Sequence, residues 1–149
     1  MTLRWLMASL HLLALPLGLA AVWWRARALR GPLDNAGLGR VFLADNLWGV
    51  AALVWIVTGV ARAFGGLEKG TSYYVSQPMF HAKMGLLLTV LALEIWPMMT
   101  LIGWRVRTRR GGAVDVARAE SLARISDIQA LLVVLMVFVA TALARGIRP

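Results

Sequence analysis

Four long apolar runs, separated by arginine-rich stretches, constrain what this chain can fold into. Between its flanking basic residues, each run carries at most one charged side chain, and that side chain is acidic. A helix of about 20 residues crosses the roughly 30 Å hydrocarbon core of a bilayer. The sequence therefore predicts an all-α integral membrane four-helix bundle that forms one domain over residues 1–149. The predicted spans are residues 5–24, 41–61, 79–104 and 125–144.

The composition agrees with a membrane protein and excludes several other classes. Hydrophobic residues make up 60% of the chain, which is more than a soluble domain of this size can bury. No cysteine is present, so disulfides, thiolate metal sites and cysteine nucleophiles are excluded. The first run could instead be a signal peptide. Its length and the terminal Trp23 and Trp24 favour a membrane span.

The basic residues between the runs predict the orientation of the protein. The connections after the first and third runs hold ten arginines, against six basic residues on the other side. The positive-inside rule places the richer side in the cytoplasm, where it would attract anionic lipid headgroups. We therefore expect both termini to lie outside. Orientation also explains the net charge of +9 more simply than nucleic-acid binding does, so we expect the lipid bilayer and no nucleic acid as partner.

Nitrogen-bearing side chains gather toward the predicted outer face. Neutral imidazole is a ligand of haem iron, and arginine and lysine suit propionate carboxylates. Four-helix bundles hold such cofactors between facing helices. The pattern indicates a haem b or porphyrin, with two histidines as ligands of the haem iron and three basic residues that bind the propionates. The histidines would bind a metal only through this haem. These candidate residues are His11 and His81, and Arg62, Lys83 and Arg145.

Glycines and helical periodicity refine this hypothesis. Gly18 follows His11 by seven residues and Gly85 follows His81 by four, so each glycine shares a helix face with its histidine and leaves room for a flat macrocycle. Lys83 lies about 200° from His81 around a helix. If His81 faces the bundle, Lys83 therefore points away from it and can extend to the surface.

An alternative without a cofactor stays open. A histidine in a membrane helix often only forms a hydrogen bond to a neighbouring helix, and basic residues at helix ends are often anchors. The protein would then be a non-enzymatic membrane subunit or a small carrier. Faces rich in glycine, alanine and leucine also allow a homo-oligomer. Whether the protein is an enzyme is open at this point.

Polar residues also lie deeper in the predicted spans, where ionisable groups are rare. We expect Asp45 and Asp127 to pair with Arg40 and Arg124, or to cap helix starts. Glu94, near the middle of the third run, must be protonated, paired with an arginine, or on a proton path. We treat it as a candidate proton relay, with a structural contact as the alternative. This inner layer comprises Asp45, Asn46, Glu94, Asp127 and Gln129.

Several stretches resemble a known family over nearly the full length of the chain. They include "ADNLWG", "RAFGGLEKGTSYY", "AKMGLLL" and "LEIWPM". The chain resembles a bacterial family of membrane proteins, the domain of unknown function 2214. This resemblance implies a protein that crosses the bacterial inner membrane four times, and it implies no particular activity.

A more distant resemblance concerns the histidines. "SLHLLAL" contains His11, and "FHAKMGL" contains His81 and Lys83. They are similar to the early histidine and the "HAK" triplet of the HemJ-type protoporphyrinogen oxidases, and the layout is loosely similar to the CopD membrane domain. "VWWRARALR" stands where HemJ proteins show a Leu-Pro-Arg motif. The resemblance implies haem b and an oxidoreductase activity.

Overall fold

The fold is described from a computed structural model, which covers residues 2–66 and 70–146. Within these residues the chain is helical and contains no strand. Four of the helices are long and apolar enough to cross a membrane, as the sequence predicts, so the protein is an all-α integral membrane four-helix bundle. The helices are α1 (Thr2–Leu29), α2 (Asn35–Phe64), the short α3 (Thr71–Val75), α4 (Pro78–Arg109) and α5 (Ala119–Ala144), with a 3-10 turn at Val116–Arg118.

The long helices continue past the apolar runs into the arginine-rich stretches. Arginine is a good helix former, and no glycine or proline interrupts either stretch before Gly31 or Gly111. Chain reversal begins only there, with Gly111 at a φ of 71° that glycine adopts without strain. The long helices therefore contain Arg25 and Arg27 in α1, and Arg105, Arg107 and Arg109 in α4. The expectation that these five arginines lie in the connections was wrong.

Apolar side chains form three layers along the bundle in the described part of the chain. The layer at one end joins the end of α1 to the start of α2, and the end of α4 to the start of α5. Neighbouring helices are therefore antiparallel. We name this the arginine end, and the opposite end, where α1 begins and α5 finishes, the termini end. Typical members are Leu29, Val41, Leu101 and Leu122 at the arginine end, Val22, Val90 and Met136 in the middle, and Ala63, Phe80 and Leu143 at the termini end.

The helices do not all pack against one another equally. α1 packs against α2 and α5, and α5 packs against α4. α2 and α4 make no comparable contact. A groove therefore remains between them, and we name it the α2–α4 groove.

The most extensive helix contact lies between α1 and α2, and Gly18 is part of it. A Cβ added to Gly18 would lie 3.3 Å from the Ala51 Cβ and 3.4 Å from the Trp48 ring. Small residues of this kind let membrane helices approach closely. α2 thus occupies the face of Gly18 that we expected to admit a macrocycle, whereas nothing lies within 4 Å of a Cβ added to Gly85.

Candidate functional site

Arg25 occupies the centre of a buried polar cluster near the arginine end. Its side chain has no exposed surface. A guanidinium has five N–H donors, and the Arg25 side chain donates five hydrogen bonds. Nε donates to Ser126 Oγ at 3.0 Å, and Nη1 donates to Asp45 Oδ1 at 2.8 Å and Glu94 Oε1 at 2.7 Å. Nη2 donates to Glu94 Oε2 and Gln129 Oε1, both at 2.8 Å. Every donor of the buried cation is therefore used.

Glu94 is an arginine-paired carboxylate in this structure. Besides its bidentate contact with Arg25, its Oε2 accepts a hydrogen bond from Trp48 Nε1 at 3.0 Å and one from Gln129 Nε2 at 2.8 Å. Gln129 Nε2 also lies 3.2 Å from the Val90 carbonyl oxygen. Bidentate arginine–carboxylate pairs are among the strongest and most directional contacts in proteins. Of the three states open to Glu94, the geometry corresponds to pairing with an arginine.

Arg105 extends the cluster from α4 to the facing side of α2. Its Nη2 donates to Asp45 Oδ2 at 2.6 Å and to the Phe42 carbonyl oxygen at 3.2 Å, and its Nη1 donates to Asn46 Oδ1 at 2.6 Å. The guanidinium carbon also lies 5.0 Å from the centre of the Phe42 ring. With Arg25 and Glu94, the cluster contains two cations and two carboxylates, so its net charge is zero. We name this set of residues the Arg25 cluster.

Asp45 does not pair with Arg40, the partner we expected from the sequence. The two residues are five positions apart on α2, so their side chains point about 140° apart. Arg40 is exposed, whereas Asp45 points inward and meets arginines from α1 and α4. Asp45 therefore joins three helices rather than neutralising a charge on its own helix.

Asp127 also lacks its expected partner, Arg124. Asp127 Oδ2 accepts a hydrogen bond from Arg30 at 2.7 Å. Arg124 instead donates to Glu120 at 3.1 Å, four residues earlier on the same helix, a spacing that brings side chains together. Both contacts are exposed, and the Arg30–Asp127 contact joins the α1–α2 connection to α5.

A second polar group lies toward the termini end. His11 is only 9% exposed, and its Nδ1 lies 3.1 Å from the Trp55 carbonyl oxygen and 2.9 Å from Thr58 Oγ1. A carbonyl can only accept, so Nδ1 carries a proton, and in the neutral ring Nε2 is then the unprotonated nitrogen. A Cβ on Gly59 would lie 3.1 Å from His11 Cε1, so a glycine at this position makes room for the ring.

Lys83, rather than His81, is the partly buried residue at the start of α4. Lys83 and Arg62 are both half-buried. His81 is exposed, and its Nε2 donates to the Val75 carbonyl oxygen at 2.8 Å. His81 and Lys83 lie on different faces of α4, as their spacing predicts. Lys83 is turned toward the bundle and His81 away from it, which is the opposite of the orientation considered above.

The structure thus brings together only part of the site predicted from the sequence. At the termini end His11 is buried and Arg62 and Lys83 are half-buried, and we name these three residues the termini-end cluster, whereas His81 and Arg145 are exposed and lie outside it. Glu94 lies in the Arg25 cluster. Three or more histidine, cysteine, aspartate or glutamate side chains that could hold a bare metal ion do not come together in the described ranges.

Arg25 is the main functional candidate that the sequence reasoning missed, although the sequence contains a signal for it. His11, Ala14, Gly18, Ala21 and Arg25 follow one another at spacings of three and four residues, which place them on one helix face. All five are buried. An arginine that continues a stripe of small residues belongs to the helix interface, because a connection residue would not follow that periodicity.

The α2–α4 groove holds a cavity of about 140 Å³. Asp45 and Glu94 lie in its wall on the side of the arginine end, where their side chains are 16% and 19% exposed. The rest of the wall is mostly apolar and includes Trp48, Trp55, Leu87, Val90, Leu91 and Met98. The Nε1 atom of Trp55 is buried and has no hydrogen-bond partner.

We expect Arg25→Leu to be strongly destabilising. It would leave two carboxylates in the bundle without their buried cation, a change that costs about 3–5 kcal/mol. Arg27→Leu is the matched control, because Arg27 is exposed and its guanidinium carbon lies 5.1 Å from the centre of the Trp23 ring. Its loss should cost about 1 kcal/mol or less. Unfolding titrations in detergent measure both values, and equal effects of the two changes would contradict the assignment.

Comparisons with known proteins agree with the fold. No curated protein and no solved structure matches the chain. One family model, described as "Predicted membrane protein (DUF2214)", matches residues 3–148. Since this match covers nearly the whole chain, the protein belongs to that family of predicted membrane proteins.

Proposed function

We propose that the protein is a small membrane binding protein or carrier, without a cofactor, that takes a lipophilic molecule into the α2–α4 groove. The observation that carries this proposal is the cavity of about 140 Å³ between two helices that do not pack closely. An apolar cavity of about 150 Å³ inside a protein can hold a benzene molecule. The groove therefore suits a group about the size of one aromatic ring, and a longer tail would extend into the lipid.

The polar wall of the groove defines the chemistry of the ligand. Asp45 and Glu94 are partly exposed there, and carboxylate oxygens accept more than one hydrogen bond. Because the Arg25 cluster is neutral overall, a hydrogen-bond donor suits it better than a large charge does. A hydroxyl or amine on an otherwise apolar molecule meets both requirements. Glu94 as a proton relay stays a prediction, and its pairing with Arg25 favours a structural role.

Blocking the groove tests this proposal. We expect benzylamine and benzyl alcohol to bind more tightly than toluene, which lacks a donor, and Gly49→Phe to abolish binding by filling the groove. Gly49 lies in the wall of the cavity. Gly103→Phe is the control, because Gly103 lies on α4 with nothing within 4 Å of an added Cβ. Saturation-transfer NMR in micelles measures binding. Equal binding of toluene, together with no effect of Gly49→Phe, would contradict the proposal.

A second candidate is a b-type haem or porphyrin-binding redox protein, and the arrangement of His11 favours it. Histidines that bind metals usually donate their other ring N–H to a carbonyl or carboxylate. The contact of His11 Nδ1 with the Trp55 carbonyl oxygen meets this condition and leaves Nε2 for iron. Lys83 and Arg62 are half-buried at the same end of the bundle, and they would hold the propionates. Haem bound in this way would supply one-electron chemistry.

His81 gives less support to this candidate, since its Nε2 is engaged with Val75 and the ring is exposed. Arg145 is also exposed, so it does not support this candidate either. We therefore propose His11 as the single protein ligand of such a haem, and His81 as a second ligand only after it leaves Val75.

Haem reconstitution tests the second candidate. Wild-type protein supplied with haem should show a Soret band that shifts on reduction. His11→Ala should abolish the band, whereas His81→Ala should leave most of it. Absorption spectra of purified, folded protein measure both effects. Wild-type protein that stays colourless after haem is added, or a band that His11→Ala does not change, would exclude this function.

We also propose that the protein lies in a bacterial inner membrane with both termini outside. Of the ten arginines on the predicted cytoplasmic side, Arg25 and Arg105 are paired with carboxylates inside the bundle and say little about orientation. The remaining eight still exceed the six basic residues on the other side. The asymmetry is smaller than the sequence alone indicated, but its sign is unchanged.

Reporter fusions test the orientation. A fusion after Arg110 should report the cytoplasm, and a fusion at Gly70 should report the outside. A fusion after Gly31 serves as a second cytoplasmic reporter. An external signal after Arg110 would invert the orientation and place the termini-end cluster on the cytoplasmic side.

A further inference from the structure

We propose that the ligand of the α2–α4 groove is a phenol with a second oxygen opposite its hydroxyl, as in a quinol headgroup, and that Trp55 Nε1 donates a hydrogen bond to that second oxygen. The inference rests on the function proposed for the groove and adds a hydrogen-bond acceptor to the ligand. It is carried by the unpaired indole N–H of Trp55, by the apolar residue at the matching level of α4, and by the acceptor capacity that remains on two carboxylates.

Trp55 has a polar atom that the described chain does not satisfy. The residue is only 8% exposed, and its Nε1 is buried without a hydrogen-bond partner. The indole packs in the middle apolar layer, and its ring centre lies 5.7 Å from that of the His11 ring. Buried donors without an acceptor are costly and therefore rare in folded proteins. An acceptor that enters with a ligand would remove this cost.

A comparison with Trp48 shows where the acceptor is missing. Trp48 and Trp55 are seven residues apart and so share a face of α2, and both lie in the cavity wall. Trp48 Nε1 donates to Glu94 Oε2 at 3.0 Å, across the groove. Because α2 and α4 are antiparallel, the level of α4 that matches Trp55 is seven residues before Glu94. Leu87 occupies that level, and its side chain has no acceptor.

Water is a poor partner for Trp55 Nε1. A buried water usually makes about three hydrogen bonds to polar groups of the protein. Besides Trp55, the polar side chains of the cavity wall are Asp45, Trp48 and Glu94, and all three lie nearer the arginine end. The wall beside Trp55 therefore offers a water too few partners. An oxygen atom that belongs to an otherwise apolar ligand needs only the single bond from the indole.

Carboxylate oxygens on the side of the arginine end remain available to a donor. In the described chain, Glu94 Oε1 accepts one hydrogen bond, from Arg25. Asp45 Oδ1 and Oδ2 also accept one each, from Arg25 and Arg105. A carboxylate oxygen can accept two. A ligand hydroxyl can therefore donate here, whereas a ligand carbonyl would bring a second acceptor against the carboxylates.

These two polar points define the ligand and its orientation. Trp48 and Trp55 are about 10 Å apart along α2, and the cavity suits a group about the size of one aromatic ring. A benzene ring with oxygens at opposite positions can direct its hydroxyl to the carboxylates and its other oxygen to Trp55. A quinol has this pattern. A quinone has acceptors at both ends, so the carboxylates disfavour it and the groove selects the reduced form.

Two phenols of nearly equal size test the role of Trp55. 4-Methoxyphenol and 4-ethylphenol share the hydroxyl, and only 4-methoxyphenol has an acceptor at the other end. Trp55→Phe keeps an aromatic ring and removes the N–H. It should weaken 4-methoxyphenol about threefold to tenfold more than 4-ethylphenol, which corresponds to one neutral hydrogen bond. Saturation-transfer NMR in micelles measures both affinities. Comparing the two proteins with the same phenol cancels its partition into the micelle.

The indole signal of Trp55 gives a second measurement, on the wild-type protein, which decides the matter if Trp55→Phe does not fold. A hydrogen bond moves an N–H proton signal downfield. In ¹H–¹⁵N spectra, 4-methoxyphenol should therefore shift the Trp55 indole signal downfield, and 4-ethylphenol should shift it less. 1,4-Dimethoxybenzene, with acceptors at both ends, stands in for the quinone pattern, and we expect it to show no binding that Gly49→Phe removes.

Trp96→Phe is the matched control, because Trp96 is exposed on α4 and lies outside the cavity wall. It should keep the wild-type affinities for both phenols. If neither phenol shows binding that Gly49→Phe abolishes, the groove function and this inference are both wrong. If both phenols bind in the groove but Trp55→Phe weakens them equally, or both shift the indole signal equally, the groove function stands and this inference is wrong. Binding of 1,4-dimethoxybenzene that Gly49→Phe removes would contradict the selection of the reduced form.

Discussion

The ion pair between Arg25 and its two carboxylates is the interaction on which the rest of the bundle depends. A guanidinium withdrawn from water costs several kcal/mol unless nearby anions and acceptors offset that cost. Asp45 from α2 and Glu94 from α4 neutralise it, and Ser126 and Gln129 from α5 complete its hydrogen bonds. Because lipid tails are as apolar as the helices, burial alone hardly selects one helix arrangement. A polar contact that requires side chains from all four helices at the same depth does select one helix arrangement.

The two polar groups of the protein lie at different depths in the bundle. The Arg25 cluster is neutral, and every donor on Arg25 is used, so its clearest role is structural. At the termini end, His11 is hydrogen-bonded to α2, and Lys83 and Arg62 are half-buried. The α2–α4 groove provides a third feature, an apolar cavity with carboxylates in its wall. The ligand proposed for the groove follows from this cavity.

Sequence reasoning located the helices well and their side-chain partners poorly. The four spans were predictable because a bilayer requires long apolar segments whose backbone hydrogen bonds are satisfied internally. Arg40 and Arg124 were natural partners for Asp45 and Asp127 because they are near in sequence. The actual partner of each aspartate lies on a different helix or connection. His11 and His81 were both recognised as candidate ligands, but the exposure of His81 depends on which face of α4 meets α5, which hydropathy does not reveal.

The sequence by itself determined the class of the fold, the number of long helices, and the presence of ionisable side chains within them. Each of these follows from local composition and from the thickness of a bilayer. Only the tertiary structure decided that Arg25 lies inside the bundle, that Glu94 is its partner, and that Lys83 rather than His81 is partly buried. The physical reason is that a charge in lipid must find its counter-charge across helices. Which helices meet depends on packing between residues far apart in the chain.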